Sequence, residues 1–390
     1  MQKSTYIALL SFLIATTAFS QNISVKSFKN SPNDLVARVD HPVTDKTERL
    51  KTCEQKSVYN KVIRKNFIIN SDNITWVKSV TKKYSPDSWQ LLMNYKNLPL
   101  KIQVKTARGG IATTTKSGSA FSYLEGNSKI QLLKSMSTNV HETAHGYSHF
   151  NAYHYAKENK LQMYWNNVNA YFYLSPTKFY FVSFPKRNLF PSRKLVQLIS
   201  KRQRTFRFNT YIAGNTSTQS EGIIGLLDEM HAYYLGSKFS VEMLKAYKIA
   251  HGSAADGFFY WVSNTQSSLG AYYEFDYFIK TYLIYMKKNS PGKYASLKSY
   301  PPFCKAYRTV QSLYKELIKQ YKKTIKSEIK KINASGKAKA GTYDNTLWIS
   351  FGKINSFTMR TSLFHDDKFI LLPELGSKPY LEIEKDFFGF

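Results

Sequence analysis

From about residue 192 to 333, apolar residues recur at helical rather than strand spacing, and this pattern restricts the fold more than any other. It is clearest over 313–332. There Leu313, Leu317, Tyr321, Ile325, Ile329 and Ile332 fall on one stripe, and Lys315, Lys319, Lys322, Lys323, Lys326, Lys330 and Lys331 fill most of the rest. Such a stripe predicts an amphipathic helix packed by its apolar side, with its lysines in water. Elsewhere the period shortens. Runs at 66–70, 89–94 and 98–105 read as short strands among turns marked by Gly109, Gly110 and Gly118. Aromatic runs flanking Ser175-Pro176-Thr177, within 162–185, read as a strand hairpin, and strand-like runs return at 346–351 and 368–372. The expectation is an α+β chain with three regions: N-terminal and β-containing over 21–125, mainly helical with a small β hairpin over 126–336, and C-terminal and β-containing over 337–390.

Residues 1–20 hold one charge, Lys3, then an apolar run from Tyr6 to Phe19 and a small-x-small end, Ala18-Phe19-Ser20. This is the pattern of a secretory signal peptide, so the mature chain is expected to start at Gln21 or Asn22 and to work, soluble, in a periplasm or outside the cell. No cysteine stands at the cleavage site and no later run of 18 apolar residues lacks charge, which argues against a lipid anchor and a transmembrane segment. Lys and Arg number 56 against 26 Asp and Glu, but only 11 of the cations are Arg. Bidentate recognition of phosphates and bases favours Arg, so a lysine-coated surface is expected rather than sequence-specific nucleic-acid binding. The two cysteines, Cys53 and Cys304, are either one long-range bridge or two buried thiols.

The sequence His141-Glu142-Thr143-Ala144-His145 is an HExxH motif. On a helix, positions i and i+4 share one face, so both imidazoles reach one metal ion while Glu142 faces water activated there. Ser137 or Asn139 can cap the start of that helix, and 140–158 lacks proline. Over about 135–158 the chain resembles the zincin metallopeptidases, a resemblance that implies Zn2+ as cofactor, His141 and His145 as ligands, Glu142 as general base and a peptide or protein substrate. The longer metzincin form needs Gly and His where Ser148 and Asn151 stand, so it is excluded. The gluzincin form takes its third ligand from a glutamate on a later helix.

The candidate for that ligand is Glu229. Gly222, Gly225, Glu229, Ala232 and Gly236 fall on one helical seam of very small residues with a single carboxylate in its middle, opposite an apolar stripe of Ile223, Leu227, Met230 and Tyr234. Another backbone can approach such a seam closely, which predicts a His141/His145/Glu229 metal site. Asp228 is a candidate to orient an imidazole, Glu221 to favour the helix start, and His149 a poorly placed alternative ligand. Tyr233 and His231 are candidates to stabilise developing charge, with Tyr272 or Tyr273 more distant options; Glu274 and Asp276 face the cleft or are surface acids.

Residues 186–207 hold five of the eleven arginines, a patch that either attracts an acidic partner or is merely solvated. There is no Walker loop, GxSxG or dinucleotide fingerprint. Two functions follow as expectations: an exported zinc-dependent peptidase, or a non-enzymatic basic protein that binds an anionic envelope glycan or lipid.

Overall fold

The computed structural model describes residues 71–164, 166–352 and 357–389. Helices α1 (Ser71–Tyr84) and α2 (Pro86–Asn97) come first, followed by the antiparallel pair β1 (Lys101–Lys105) and β2 (Ile111–Thr115). The expected strand at 89–94 lies inside α2. Pro86 and Asp87 favour a helix start there, and Leu91, Leu92 and Tyr95 bury on one helical face that a six-residue run does not reveal. The run at 66–70, Cys53 and the 1–20 segment lie outside the described residues.

Helix α3 (Lys129–Glu158) carries the HExxH motif. Its cap is Ser128, whose side chain accepts from Gln131 N while the Gln131 side chain accepts from Ser128 N, a reciprocal capping box. The helix therefore begins well before Ser137 and Asn139, and these two do other work. Ser137 Oγ donates to Gly236 O, whereas Asn139 donates to Ala120 O and accepts from Tyr123 N, tying the preceding loop to the helix.

Strands β3 (Asn167–Ser175) and β4 (Lys178–Pro185) form the expected hairpin, which lies against α3 through Tyr155, Tyr171 and Phe179. From 186 to 221 the chain runs through short 3-10 turns and a single turn of helix, α4 (Phe208–Tyr211), rather than the long helices expected from 192. Long helices resume with α5 (Ile223–Glu242), α6 (Leu244–His251), α7 (Ala254–Asn289), α8 (Pro291–Lys298) and α9 (Pro301–Ala334). Helix α5 is buried on nearly every side, packed between α3 and α7, as an apolar run without a polar face requires. On α9, Leu317, Tyr321, Ile325 and Ile332 are buried while Lys319, Lys322, Lys323, Lys326 and Lys330 are exposed.

The chain closes with an antiparallel sheet, β5 (Ala338–Tyr343), β6 (Thr346–Phe351) and β7 (Phe357–Ser362), then α10 (Asp367–Leu375) and α11 (Lys378–Phe388). The expected strand at 368–372 is part of α10, which buries Leu371 and Leu375 one helical turn apart. Lysines from three helices hold α11 in place: Glu384 accepts from Lys280 and Lys315, and Asp386 from Lys287 and Lys298. The described chain is a mostly helical α+β fold with small antiparallel sheets. Among the described residues Cys304 has no disulfide partner, and its buried thiol is directed at the carbonyls of Leu297 and Lys298. Among the described residues, no helix is long and apolar enough to cross a membrane.

Candidate metal centre

Helices α3 and α5 approach closely where Gly236 faces Ser137 and His141. A Cβ on Gly236 would stand 3.0 Å from Ser137 O and 3.4 Å from His141 Cβ. Ser240 Oγ reinforces the crossing by donating to Ser137 Oγ at 2.9 Å. Two turns back along α5, the Glu229 side chain reaches the motif. The other seam glycines act differently. Gly222 precedes α5 with φ +60°, and Gly225 packs on the backbone of Thr218 in the preceding turn.

His141, His145 and Glu229 form a group able to hold a metal ion, their ligand atoms all lying within 4.8 Å of one another. His145 Nε2 is 3.1 Å from His141 Nε2 and 3.1 Å from Glu229 Oε2, and the third side of the triangle is 3.9 Å. A circle through those three atoms has a radius of about 2.0 Å, the length of a bond from zinc to imidazole nitrogen or carboxylate oxygen. The donor set therefore fits a small divalent ion. His141 and Glu229 are buried, and His145 is partly exposed.

Each ligand has a partner behind it. Asp228 Oδ2 lies 2.6 Å from His145 Nδ1, the His141 ring hydrogen-bonds the Ala232 backbone, and Thr218 Oγ1 donates to Glu229 Oε1 at 3.0 Å. Such partners fix ring orientation and tautomer. Tyr233 packs its ring edge-on against His141 at 4.4 Å, with its hydroxyl 3.0 Å from that of Tyr211. Behind Tyr233 stands Arg207, its guanidinium 4.5 Å over the ring and paired with Glu274. Arg207 is thus buried in this support and does not belong to the solvent-facing basic patch.

Burial, with His145 and Arg207 nearby, pushes the His141 pKa well below the ordinary value. Burial acts the same way on His145, but Glu229 and Asp228 outweigh it and hold that ring protonated well above the ordinary value. One imidazole is thus neutral and ready to ligate, while the other carries a proton that an incoming cation must displace. Glu142, with an oxygen 3.9 Å from His141 Nε2, is pushed up to about 7, mainly by burial and further by the Glu229 charge, against the opposing charge of His145.

The remaining candidates divide. His231 bonds through Nε2 to Tyr173 O at 2.5 Å and packs on Phe172, so it ties α5 to the hairpin instead of joining the cluster. His149 is exposed beside Tyr153. Glu221 lies in the turn before α5 and makes no capping bond; burial and Asp228 push it up to about 7. Tyr272 packs on Tyr314, Tyr273 on Phe364, and Asp276 binds Lys280 and Gln311, all within the helical core. Thr218 and Tyr211 carry no motif that marks them in the sequence. The same holds for Tyr123, whose phenol is pushed up by burial and then by the Glu142 charge. No protein-family model, curated protein or solved structure matches this chain.

Proposed function

We propose that this chain is an exported zinc-dependent hydrolase of peptide bonds. The observation that carries the proposal is the convergence of His141, His145 and Glu229, from two helices, on one ion-sized triangle with a glutamate beside it. Zinc held by these three side chains supplies Lewis-acid polarisation of a carbonyl and acidification of water. Glu142 is the general base: its carboxylate takes a proton from the attacking water and returns it to the departing amine, a task suited to a group poised near neutral pH. Tyr233 supports His141 through its ring, with Arg207 and Tyr211 holding it from behind. The 1–20 segment supports export, and the HExxH resemblance supports peptide amides as substrates.

Glu142→Gln tests the assignment, assayed on a mixture of quenched fluorescent peptides alongside zinc content. The expected outcome is full zinc retention with hydrolysis reduced about 10²- to 10⁴-fold, the usual contribution of a positioned general base. Hydrolysis at the wild-type rate rules Glu142 out as the base, and absence of any peptide hydrolysis in zinc-loaded wild type rules out the peptidase assignment.

A further inference from the structure

Between Glu158 and Glu221 the chain contains no aspartate or glutamate. Within that stretch Arg193, Lys194, Lys201, Arg202 and Arg204 are all exposed, and none joins an ion pair among the described residues. They are held in one loop. Ser192, Leu195 and Ile199 are buried anchors, and the Arg204 guanidinium closes the loop by donating to Val196 O at 3.2 Å and Ile199 O at 3.4 Å. Between the two pairs of cations Leu198 is 43% exposed, and Phe206, just after Arg204, is 45% exposed.

Helix α10 packs against the Lys201–Gln203 turn of this loop. While α10 buries Leu371 and Leu375, it leaves Phe369 at 49%, Ile370 at 37% and Leu372 at 41% exposure. Exposed phenylalanine, leucine and isoleucine beside cations that join no ion pair among the described residues suit an interfacial surface, on which cations would meet anionic headgroups and apolar side chains would enter the boundary with the acyl chains. The lysine face of α9 is the internal contrast. Its cations are equally exposed, yet no large apolar residue of that helix is exposed among them.

We propose that the 193–206 loop and α10 together dock the protein on an anionic phospholipid bilayer. A soluble acidic polymer needs only the cations and leaves the apolar residues unused, so the combination favours a lipid surface. The proposal does not depend on the metal centre.

Co-sedimentation of the mature chain with vesicles of neutral phosphatidylcholine, or of phosphatidylcholine with phosphatidylglycerol, tests it. Binding is expected to be at least tenfold tighter to the anionic vesicles and to weaken with added salt. Lys201→Glu with Arg202→Glu is expected to reduce it more than tenfold, since each cation at such a surface contributes about fivefold. Phe369→Ser with Leu372→Ser is expected to reduce binding comparably at unchanged net charge. Lys323→Glu with Lys326→Glu on α9 makes the same charge change and is expected to leave binding within about twofold. Melting curves establish that each variant is folded. Equal losses from the two charge-reversal pairs, unaltered binding in the serine variant, or retention on dextran sulfate without vesicle binding would each overturn the proposal.

Discussion

Asp228 and Glu229, consecutive residues on α5, hold opposite edges of one imidazole: Asp228 Oδ2 is 2.6 Å from His145 Nδ1, and Glu229 Oε2 is 3.1 Å from Nε2. The Asp228 contact fixes the His145 tautomer, leaving Nε2 to face His141 and Glu229. Asp228→Asn keeps the shape but removes the charge that orients the ring. Zinc affinity, measured by competition with a chromophoric chelator, should fall about 10- to 100-fold. Unchanged affinity would show that the ring is oriented without Asp228.

Gly225 offers a test of sign. In most helices Gly→Ala raises stability by about 1 kcal/mol. At Gly225 the added Cβ would stand 2.0 Å from Thr218 O and 2.8 Å from Thr218 C, so the turn that carries the Thr218 bond to Glu229 must move. Gly225→Ala should therefore lower unfolding stability by about 1–3 kcal/mol, the usual cost of overpacking. Urea denaturation at constant m-value is the measurement, and a gain in stability is the contrary result.

Acid should loosen α11. Burial opposes the Glu384 charge, but Lys315 and Lys280 outweigh it and hold the carboxyl below its ordinary value. A carboxylate with a lowered folded pKa stabilises the fold fully above its unfolded value of about 4.3, and that contribution is lost as pH falls through the folded value. Glu384→Gln should be about 1.5–3 kcal/mol less stable than wild type at pH 7, on the scale of hydrogen bonds to charged groups. The difference should shrink progressively below about pH 4.3. A pH-independent difference would locate the effect in packing.

Much of the site's outline was legible because it depends on helical spacing. The His141–His145 interval names two side chains on one face, and the small-residue seam singles out Glu229 among the downstream acids. Of the three glycines in that seam only Gly236 faces the motif helix directly; Gly222 and Gly225 serve the turn before α5. Within the supporting shell Asp228 was legible from its place beside Glu229, but Thr218, Tyr211 and Arg207 were not, because they reach the site through turns whose course follows from tertiary packing. The same limit explains the short apolar runs at 89–94 and 368–372. Their periods are too brief to separate strand from helix, and burial of Leu91, Leu92 and Leu371 settles them as helices.

Metal stoichiometry tests the central claim most directly. Wild-type protein and Glu229→Gln, each dialysed to equilibrium against the same buffered free zinc, are analysed by elemental mass spectrometry at a zinc level that saturates wild type. One zinc per wild-type chain and much less than one in the variant is the expected result, because the neutral amide is a far poorer ligand than the carboxylate. Equal zinc in the two proteins would contradict a centre built from His141, His145 and Glu229.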